Sequence, residues 1–138
     1  MQYMLENPVR SSIGKEKYQC TILWRNGTFI ADEPVKSGGL DLGPDPITLL
    51  LSSLASCTLV TLKMYIDRKG WAINDIEVVA NMYQVKEGDK VITTINRDIK
   101  FLSEITEEQR KRLLQIAAAC PVSKILENQI DVKTLIIT

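Results

Sequence analysis

The sequence contains no histidine, and its charges cancel, because 17 Lys and Arg balance 17 Asp and Glu among 138 residues. Without imidazole, Ser/His and Cys/His catalysis and histidine-ligated metal sites are excluded. Without an excess of positive charge, the chain lacks the phosphate-neutralising surface of nucleic-acid-binding proteins. We therefore expect no nucleic-acid partner, no metal and no cofactor, and any chemistry must use groups other than imidazole.

Long apolar segments are also scarce. Residues 47–62 carry no charge, but these 16 residues include serines and threonines and fall short of the about 20 that cross a bilayer. The first 15 residues contain no apolar run behind a basic patch, so they do not resemble a secretory signal. We expect a cytoplasmic protein that does not enter a membrane.

Cysteine is sparse, with three residues at positions 20, 57 and 120. An odd number of widely spaced cysteines without a CxxC pair argues against a structural disulfide framework, especially in a reducing compartment. Cys20 shares a strand face with Ile22 and Trp24, so packing is its expected role. Cys57 and Cys120 each need a separate explanation.

The apolar periodicity changes along the chain in the order β, long α, β, α, β. After an earlier strand near Val9–Ile13, Tyr18–Trp24 alternates, and Asn26-Gly27 precedes a second apolar run, which predicts a hairpin with a type I′ turn at Asn-Gly. The length and the absence of a linker predict a single α+β domain over residues 1–138.

A long helix should follow the Gly- and Pro-rich segment Ser37–Pro46. Asp45 is a candidate N-cap, Pro46 suits the first helical position, and Gly70 is the expected stop after Arg68. At about 1.5 Å per residue, such a helix is about 35 Å long, too long for one small sheet to cover. Because its apolar residues point in several directions, it must be enclosed on more than one side, which predicts an intimate homodimer.

A second hairpin is predicted from Ile76–Met82 and Val91–Phe101, joined by a turn at Lys86–Lys90. Arg97 has the same parity as the apolar residues of its strand. It lies either at the solvent-exposed end of the sheet, which is the expected position, or it is a buried charge that needs a partner.

The last third should contain two helices and a strand. Thr106–Gln109 fits a capping box that opens a helix ending near Ala119, and Cys120-Pro121 restarts the chain into a short helix that ends at Leu126 or Glu127. Val132–Ile137 is predicted as the closing strand. The buried stripe of the first of these helices is predicted to be Leu113, Leu114, Ile116 and Ala117.

Two thiols could carry chemistry. Cys57 lies on a narrow polar row of the long helix with Ser53 and Thr61, where it either lines a polar notch or packs as a small hydrophobe. Cys120 precedes Pro121 in an N-cap pattern, where it either gains thiolate character or only caps the helix. In a chain without histidine, the cation that stabilises a thiolate would be arginine or lysine. Arg25, otherwise an exposed turn residue, and Arg97 are the candidates.

The segments GGLDLGPDPITLLLSSLASCT (38–58) and IAAACPVSKIL (116–126) together resemble the OsmC/organic hydroperoxide resistance (OsmC/Ohr) family, in its less characterised OsmC-like branch. The resemblance follows the order of elements over nearly the whole chain. It implies an OsmC-like α+β fold in which antiparallel sheets wrap around long central helices of an intertwined homodimer. It also implies active sites at the dimer interface.

The same resemblance implies a cysteine-dependent peroxidase that reduces small organic hydroperoxides during stress. Cys57 matches the peroxidatic cysteine, whose sulfenic acid condenses with the resolving Cys120 into a disulfide. A lipoyl-type dithiol would then restore both thiols. Arg25, in Arg25-Asn26-Gly27 with Asp32 downstream, matches the family's activating arginine.

One family position differs. After Asp45-Pro46 the peroxidases have a glutamate that orients the arginine, whereas this chain has Ile47 and Thr48; Asp45 or Asp41 could substitute only from a different position. The alternative function is therefore a non-catalytic dimer that binds an acyl or other small ligand in an apolar pocket, with idle or redox-sensing cysteines.

Overall fold

The computed structural model describes residues 1–137. The chain divides into two compact units, one ending at Leu50 and one beginning at Leu51, and the division falls within the long helix. A single domain over residues 1–138 stays a prediction. The first unit contains strands β1 (Arg10–Ile13), β2 (Cys20–Trp24) and β3 (Gly27–Ala31) and a 3₁₀ turn (Val35–Ser37).

The predicted first hairpin is confirmed, but its turn differs. Strands β1, β2 and β3 form an antiparallel sheet, and Trp24 pairs with Gly27, so the two turn residues are Arg25 and Asn26. A type I′ turn at Asn26-Gly27 is wrong, since neither residue has a positive φ. The Trp24 ring packs over Gly27, with Nε1 3.3 Å from where a Cβ would lie, so a larger residue there would have to displace the ring by a few tenths of an ångström.

A buried carboxylate organises the loop that follows β3. Asp32 is 2% exposed, and its two oxygens accept four backbone N–H groups. Burial raises the pKa of this carboxyl, but the four hydrogen bonds outweigh burial and hold its pKa below the usual value. These bonds close the Gly- and Pro-rich loop on itself. The donors are the amides of Tyr18 (3.3 Å), Glu33 (2.8 Å), Leu40 (3.3 Å) and Leu42 (3.2 Å).

Helix α1 (Pro46–Lys69) matches the prediction at both ends. The Asp45 carbonyl accepts the Leu49 N–H at 3.0 Å, and the Thr48 hydroxyl donates to the Asp45 carboxylate. Gly70 ends the helix with φ +69°, a conformation that favours glycine. By length and hydropathy α1 could cross a membrane, a test that the core helices of soluble proteins also pass. Its buried residues follow one stripe: Leu54, Thr58, Leu62, Tyr65 and Ile66.

The second unit is built on a long antiparallel hairpin. Strand β4 (Ile76–Glu87) pairs with β5 (Lys90–Phe101) through a two-residue turn, in which Gly88 adopts φ +61°. One face of the hairpin is half-buried along alternating residues, as predicted. Arg97 lies on that inner face, opposite Ala80. The core of this unit contains Leu62, Tyr65, Ile66, Ile73, Leu113 and Ala117.

Helices α2 (Glu107–Ala118) and α3 (Pro121–Leu126) are confirmed, including the capping box at Thr106 and Gln109. Leu113 and Ala117 are buried as predicted, whereas Leu114 is 69% exposed. The prediction of a closing strand at Val132–Ile137 is wrong, because residues 131–137 form no strand. A strand exists only with a hydrogen-bonded neighbour, and among the described residues β4 and β5 pair only with each other.

Candidate functional site

The two predicted redox thiols meet in the second unit. Cys57 lies halfway along α1 and is half-buried, whereas Cys120 is fully buried immediately before α3. Both are free thiols, and the Cys57 side chain lies close enough to Cys120 to lower the pKa of the Cys120 thiol. Two residues 63 positions apart are therefore adjacent in space. Cys20, the third thiol, lies half-buried on β2, in the packing position expected of it.

Cys120 is the more elaborately contacted of the two sulfurs. As the N-cap of α3, its Sγ accepts the backbone N–H of Ser123 at 3.4 Å. The Arg97 guanidinium donates to it from 3.8 Å, and the Thr58 hydroxyl lies 3.8 Å away. The Cys120 sulfur therefore accepts hydrogen bonds from β5 and from its own helix, and it lies beside a hydroxyl of α1.

These contacts favour the thiolate of Cys120. Burial opposes ionisation, but the Ser123 amide, the Thr58 and Cys57 side chains and the charge of Arg97 together hold the pKa of Cys120 below its usual value. Reactivity of a cysteine follows its thiolate fraction. The arrangement can thus hold a negatively charged sulfur in a protected position beside a second, more accessible thiol.

Thr58 is the functional residue that sequence reasoning missed. It is 0% exposed, its hydroxyl donates to the Leu54 carbonyl at 2.7 Å, and it accepts from Arg97 at 3.0 Å. A hydroxyl has one hydrogen and two acceptor positions, so the same hydrogen can turn from Leu54 to the sulfur when Cys120 ionises. The signal was in the sequence, since Thr58 interrupts the apolar stripe of Leu54 and Leu62 at a spacing of four.

Arg97 does not lie at a solvent-exposed end of the sheet, and that expectation is wrong. It is half-buried on the inner face of the hairpin, with its guanidinium on Thr58 and Cys120. The second alternative from the sequence, a buried charge with a partner, is the one observed. Its partners are the Thr58 hydroxyl and the Cys120 sulfur. The alternation of side chains along β5 does not identify them.

Arg25 lies in the β2–β3 turn of the first unit, with its guanidinium 5.2 Å from the centre of the Trp24 ring. Its predicted role toward the cysteines is not tested by this contact and stays a prediction. The carboxylates proposed as substitutes for the missing glutamate have other positions: Asp45 accepts the Thr48 hydroxyl at the start of α1, and Asp41 lies in the loop with φ +57°.

A cavity of about 380 Å³ opens beside Arg97. Its lining comes from α1, β5 and α3 and is mixed, with apolar and hydroxyl-bearing side chains and two charged groups, Arg97 and Glu127. The Ser123 hydroxyl, also in the wall, donates to the Glu127 carboxylate at 3.2 Å. The cavity can accept a small organic molecule next to the sulfur site. Its full lining is Leu54, Thr93, Ile95, Arg97, Ser123, Leu126 and Glu127.

Comparison with known proteins points to one family. The family model described as OsmC-like protein matches residues 38–135. Since this match covers more than half of the sequence, the chain belongs to the OsmC-like protein family. No curated protein sequence matches the chain.

Solved structures agree on the fold. The OsmC-like protein from Mycoplasma pneumoniae has 18% identity and a TM-score of 0.74, covering 91% of this chain and 89% of that one. An organic hydroperoxide resistance protein from Elizabethkingia anophelis has 20% identity and a TM-score of 0.70, covering 96% of each chain. OhrB of Bacillus subtilis has 20% identity and a TM-score of 0.66, covering 95% and 97%. The predicted OsmC-like α+β fold is confirmed.

Proposed function

We propose that this protein is a cysteine-dependent peroxidase that reduces small organic hydroperoxides as part of a cytoplasmic stress response. The observation that carries the proposal is the proximity of two free thiols, Cys57 and Cys120, beside the Arg97 guanidinium. Membership of the OsmC-like family and the fold shared with organic hydroperoxide resistance proteins support the same activity.

The first step is attack by Cys57. The Cys57 thiol passes its proton to the neighbouring Cys120 thiolate, and the Cys57 thiolate that results is the nucleophile. The Cys57 sulfur attacks the terminal oxygen of the hydroperoxide, the O–O bond breaks, and Cys57 becomes a sulfenic acid. The alkoxide that leaves takes the proton from Cys120 and departs as an alcohol.

The second step forms the disulfide. Cys120, again a thiolate beside Arg97, attacks the Cys57 sulfur and displaces hydroxide, which is protonated to water. Both sulfurs are then oxidised by one electron each, and a dithiol of the lipoyl type would return them to thiols. The cavity next to Arg97 would receive the organic part of the peroxide.

We also propose that the active form is a homodimer. Only 17% of the apolar window of α1 is buried within one chain, and Val60 and Met64 on that helix are 51% and 67% exposed. The side chains of residues 135–137 are 84–90% exposed and apolar. Exposed apolar surface of this extent marks an interface. We assign it to a second copy rather than to lipid, because the proposed peroxidase, which is reduced by a small dithiol, would act in solution.

The proposal is tested with an alkyl hydroperoxide and dihydrolipoamide. Wild-type protein should turn over rapidly, and Cys57→Ser should abolish turnover. Cys120→Ser should still form a sulfenic acid on Cys57, trapped with dimedone, but no intramolecular disulfide. Cys20→Ser, which removes a thiol on β2, is the matched control and should retain activity.

Parallel substitutions assign the activating cation. Arg25→Gln should reduce turnover if the family match holds, and Arg97→Gln should reduce it through Cys120. The cavity also suits a ligand-binding protein without catalysis, and that alternative predicts negligible turnover with wild-type protein together with a small apolar molecule that co-purifies. Negligible turnover with fully reduced thiols would overturn the peroxidase proposal.

A further inference from the structure

The sulfur site is asymmetric. Cys120 is 0% exposed and accepts hydrogen bonds from Ser123 and Arg97, while Thr58 adds a hydroxyl at 3.8 Å. Cys57 is half-buried, and its contact within the site is with Cys120. The hydrogen-bond donors that can stabilise a negative charge are thus gathered around the Cys120 sulfur.

Hydrogen bonding holds the Arg97 guanidinium in place beside the Cys120 sulfur. Its Nη1 donates to the Thr58 hydroxyl at 3.0 Å, and Thr58 is fixed by the rigid turn of α1 through the Leu54 carbonyl. A guanidinium group is a permanent cation, because arginine is not deprotonated in proteins. A fixed cation beside a sulfur favours whichever reaction leaves that sulfur negative.

Thiol–disulfide exchange is such a reaction. An attacking thiolate bonds to one sulfur and expels the other, and the sulfur whose thiolate is better stabilised leaves faster. Access adds to the same preference, since the nucleophile must approach the attacked sulfur in line. Both considerations apply to a Cys57–Cys120 disulfide, and both select Cys57 as the sulfur attacked.

We propose that Arg97 and Thr58 make Cys120 the leaving group when the disulfide is reduced, so that an external dithiol bonds to Cys57 and never to Cys120. This inference rests on the proposed function, of which it specifies the regeneration step. Arg97 and Thr58 act as positioning residues through Cys120. The structure thereby assigns the docking point of the reductant to the Cys57 side of the pair.

The electrons and protons balance in two steps. The dithiol loses one proton to solvent, its thiolate sulfur bonds to Cys57, and the Cys57–Cys120 bond breaks with its electron pair passing to Cys120. The second thiol of the reductant then loses its proton and displaces Cys57, forming the oxidised dithiol. Cys57 takes a proton from solvent, and Cys120 stays paired with Arg97 as a thiolate or takes a proton. The protein gains two electrons and the reductant loses two.

The first experiment identifies the attacked sulfur. Cys20→Ser protein is oxidised with diamide, so that no peroxidase activity is needed to make the disulfide, and is treated briefly with glutathione, a monothiol that stops at the mixed disulfide. After acid quenching, unfolding and alkylation of free thiols, peptide masses should show glutathione on Cys57 and alkyl on Cys120. Glutathione on Cys120, an even distribution over both sulfurs, or no disulfide after diamide would overturn the inference.

The second experiment tests the role of Arg97. In Cys20→Ser/Cys57→Ser protein, thiolate absorbance against pH reports Cys120 alone. Arg97→Gln should raise its midpoint by about one pH unit or more, since a cation at this range lowers a thiol's pKa by that amount. Arg97→Lys keeps the positive charge, so the Cys120 midpoint should stay close to its value with arginine. Lys100→Gln removes a positive charge from an exposed position of the same strand and should leave the midpoint unchanged.

The rate of disulfide reduction completes the test. With Cys57 and Cys120 present, Arg97→Gln should slow reduction by glutathione several-fold, while Lys100→Gln should not. Equal rates and an unchanged Cys120 midpoint in Arg97→Gln would overturn the role of Arg97. A failed peroxidase assay with a normal glutathione pattern would instead overturn the proposed function and leave this inference standing.

Discussion

Thr58 accepts a 3.0 Å hydrogen bond from Arg97, although 39 positions separate the two residues along the chain. The bond joins the middle of α1 to the inner face of the β4–β5 hairpin, and its acceptor oxygen also lies 3.8 Å from the Cys120 sulfur. The buried Thr58 hydroxyl therefore couples the position of the Arg97 guanidinium to the protonation state of the Cys120 thiol. Four further consequences of the structure can be measured.

Thr58→Val should destabilise the protein and weaken the thiolate of Cys120. Valine fills the same space but leaves the Arg97 guanidinium without this acceptor, a loss that costs about 1–3 kcal/mol for a buried polar group. Urea unfolding should show the lower stability, and thiolate absorbance should show a higher Cys120 midpoint.

Two variants control for this effect. Thr58→Ser keeps the hydroxyl and should preserve the Cys120 midpoint, whereas Thr61→Val changes a half-buried threonine of the same helix and should have little effect on it. A Thr58→Val protein with the wild-type midpoint would show that the hydroxyl has no part in the sulfur site.

Asp32→Asn should remove part of the pH dependence of stability. Burial raises the pKa of Asp32, but its four amide hydrogen bonds lower it further, so the native pKa lies below that of the unfolded chain. The carboxylate's contribution is therefore complete above the unfolded value of about 3.9 and is lost as the pH falls through the native value. Urea midpoints measured from neutral to acidic pH should fall less steeply in Asp32→Asn than in wild type.

The matched control for Asp32 is Asp41→Asn, in the same loop but exposed. It should follow the wild-type pH curve, because no comparable set of amides within residues 1–137 bonds to its carboxylate. Identical acid curves for wild type and Asp32→Asn would contradict the role given to this carboxylate.

Gly39→Ala should be poorly tolerated. A Cβ at this position would overlap the Glu33 carbonyl and lie 2.8 Å from Asp32 Oδ1, so the loop backbone would have to move. Forcing extra atoms into a packed site costs about 1–3 kcal/mol. Gly14→Ala is the control, because a Cβ there meets nothing within 4 Å, and it should be neutral or slightly stabilising. Equal thermal midpoints for the two variants would refute the overlap.

Met64→Asp should convert the proposed homodimer into a monomer. Met64 is 67% exposed on α1 within one chain, and a carboxylate in a buried apolar interface is strongly unfavourable. Light scattering coupled to gel filtration should show half the wild-type mass. Lys111→Asp, an exposed change on α2, should leave the mass unchanged. A wild-type protein that already elutes as a monomer would contradict the dimer.

Local patterns were enough to predict most of the elements. The Asp45-Pro46 start and Gly70 end of α1, the capping box at Thr106 and the Cys120 N-cap all act within a few residues, so the sequence contains both partners of each contact. The turn at Arg25 and Asn26 lies one residue before the predicted Asn-Gly, because Gly27 pairs with Trp24 as part of β3 and does not adopt a positive φ.

The closing strand could not be derived in the same way. Apolar alternation over residues 132–137 is compatible with a strand, but a strand needs a neighbour that supplies hydrogen bonds, and the sequence does not say which one. The exposed position of Leu114 has the same origin, since helical periodicity assigns an apolar face without saying how wide the covering surface is.

By itself, the sequence determined the α+β class, the extent of each helix and the two cysteines worth examining, because these follow from spacings of a few residues and from the family's motifs. Only the tertiary structure decided that Arg97 points inward, that Thr58 joins it to Cys120, and that the two thiols are neighbours. Those contacts connect α1, β5 and α3, and the geometry between distant elements depends on how their side chains pack together, which no local pattern records.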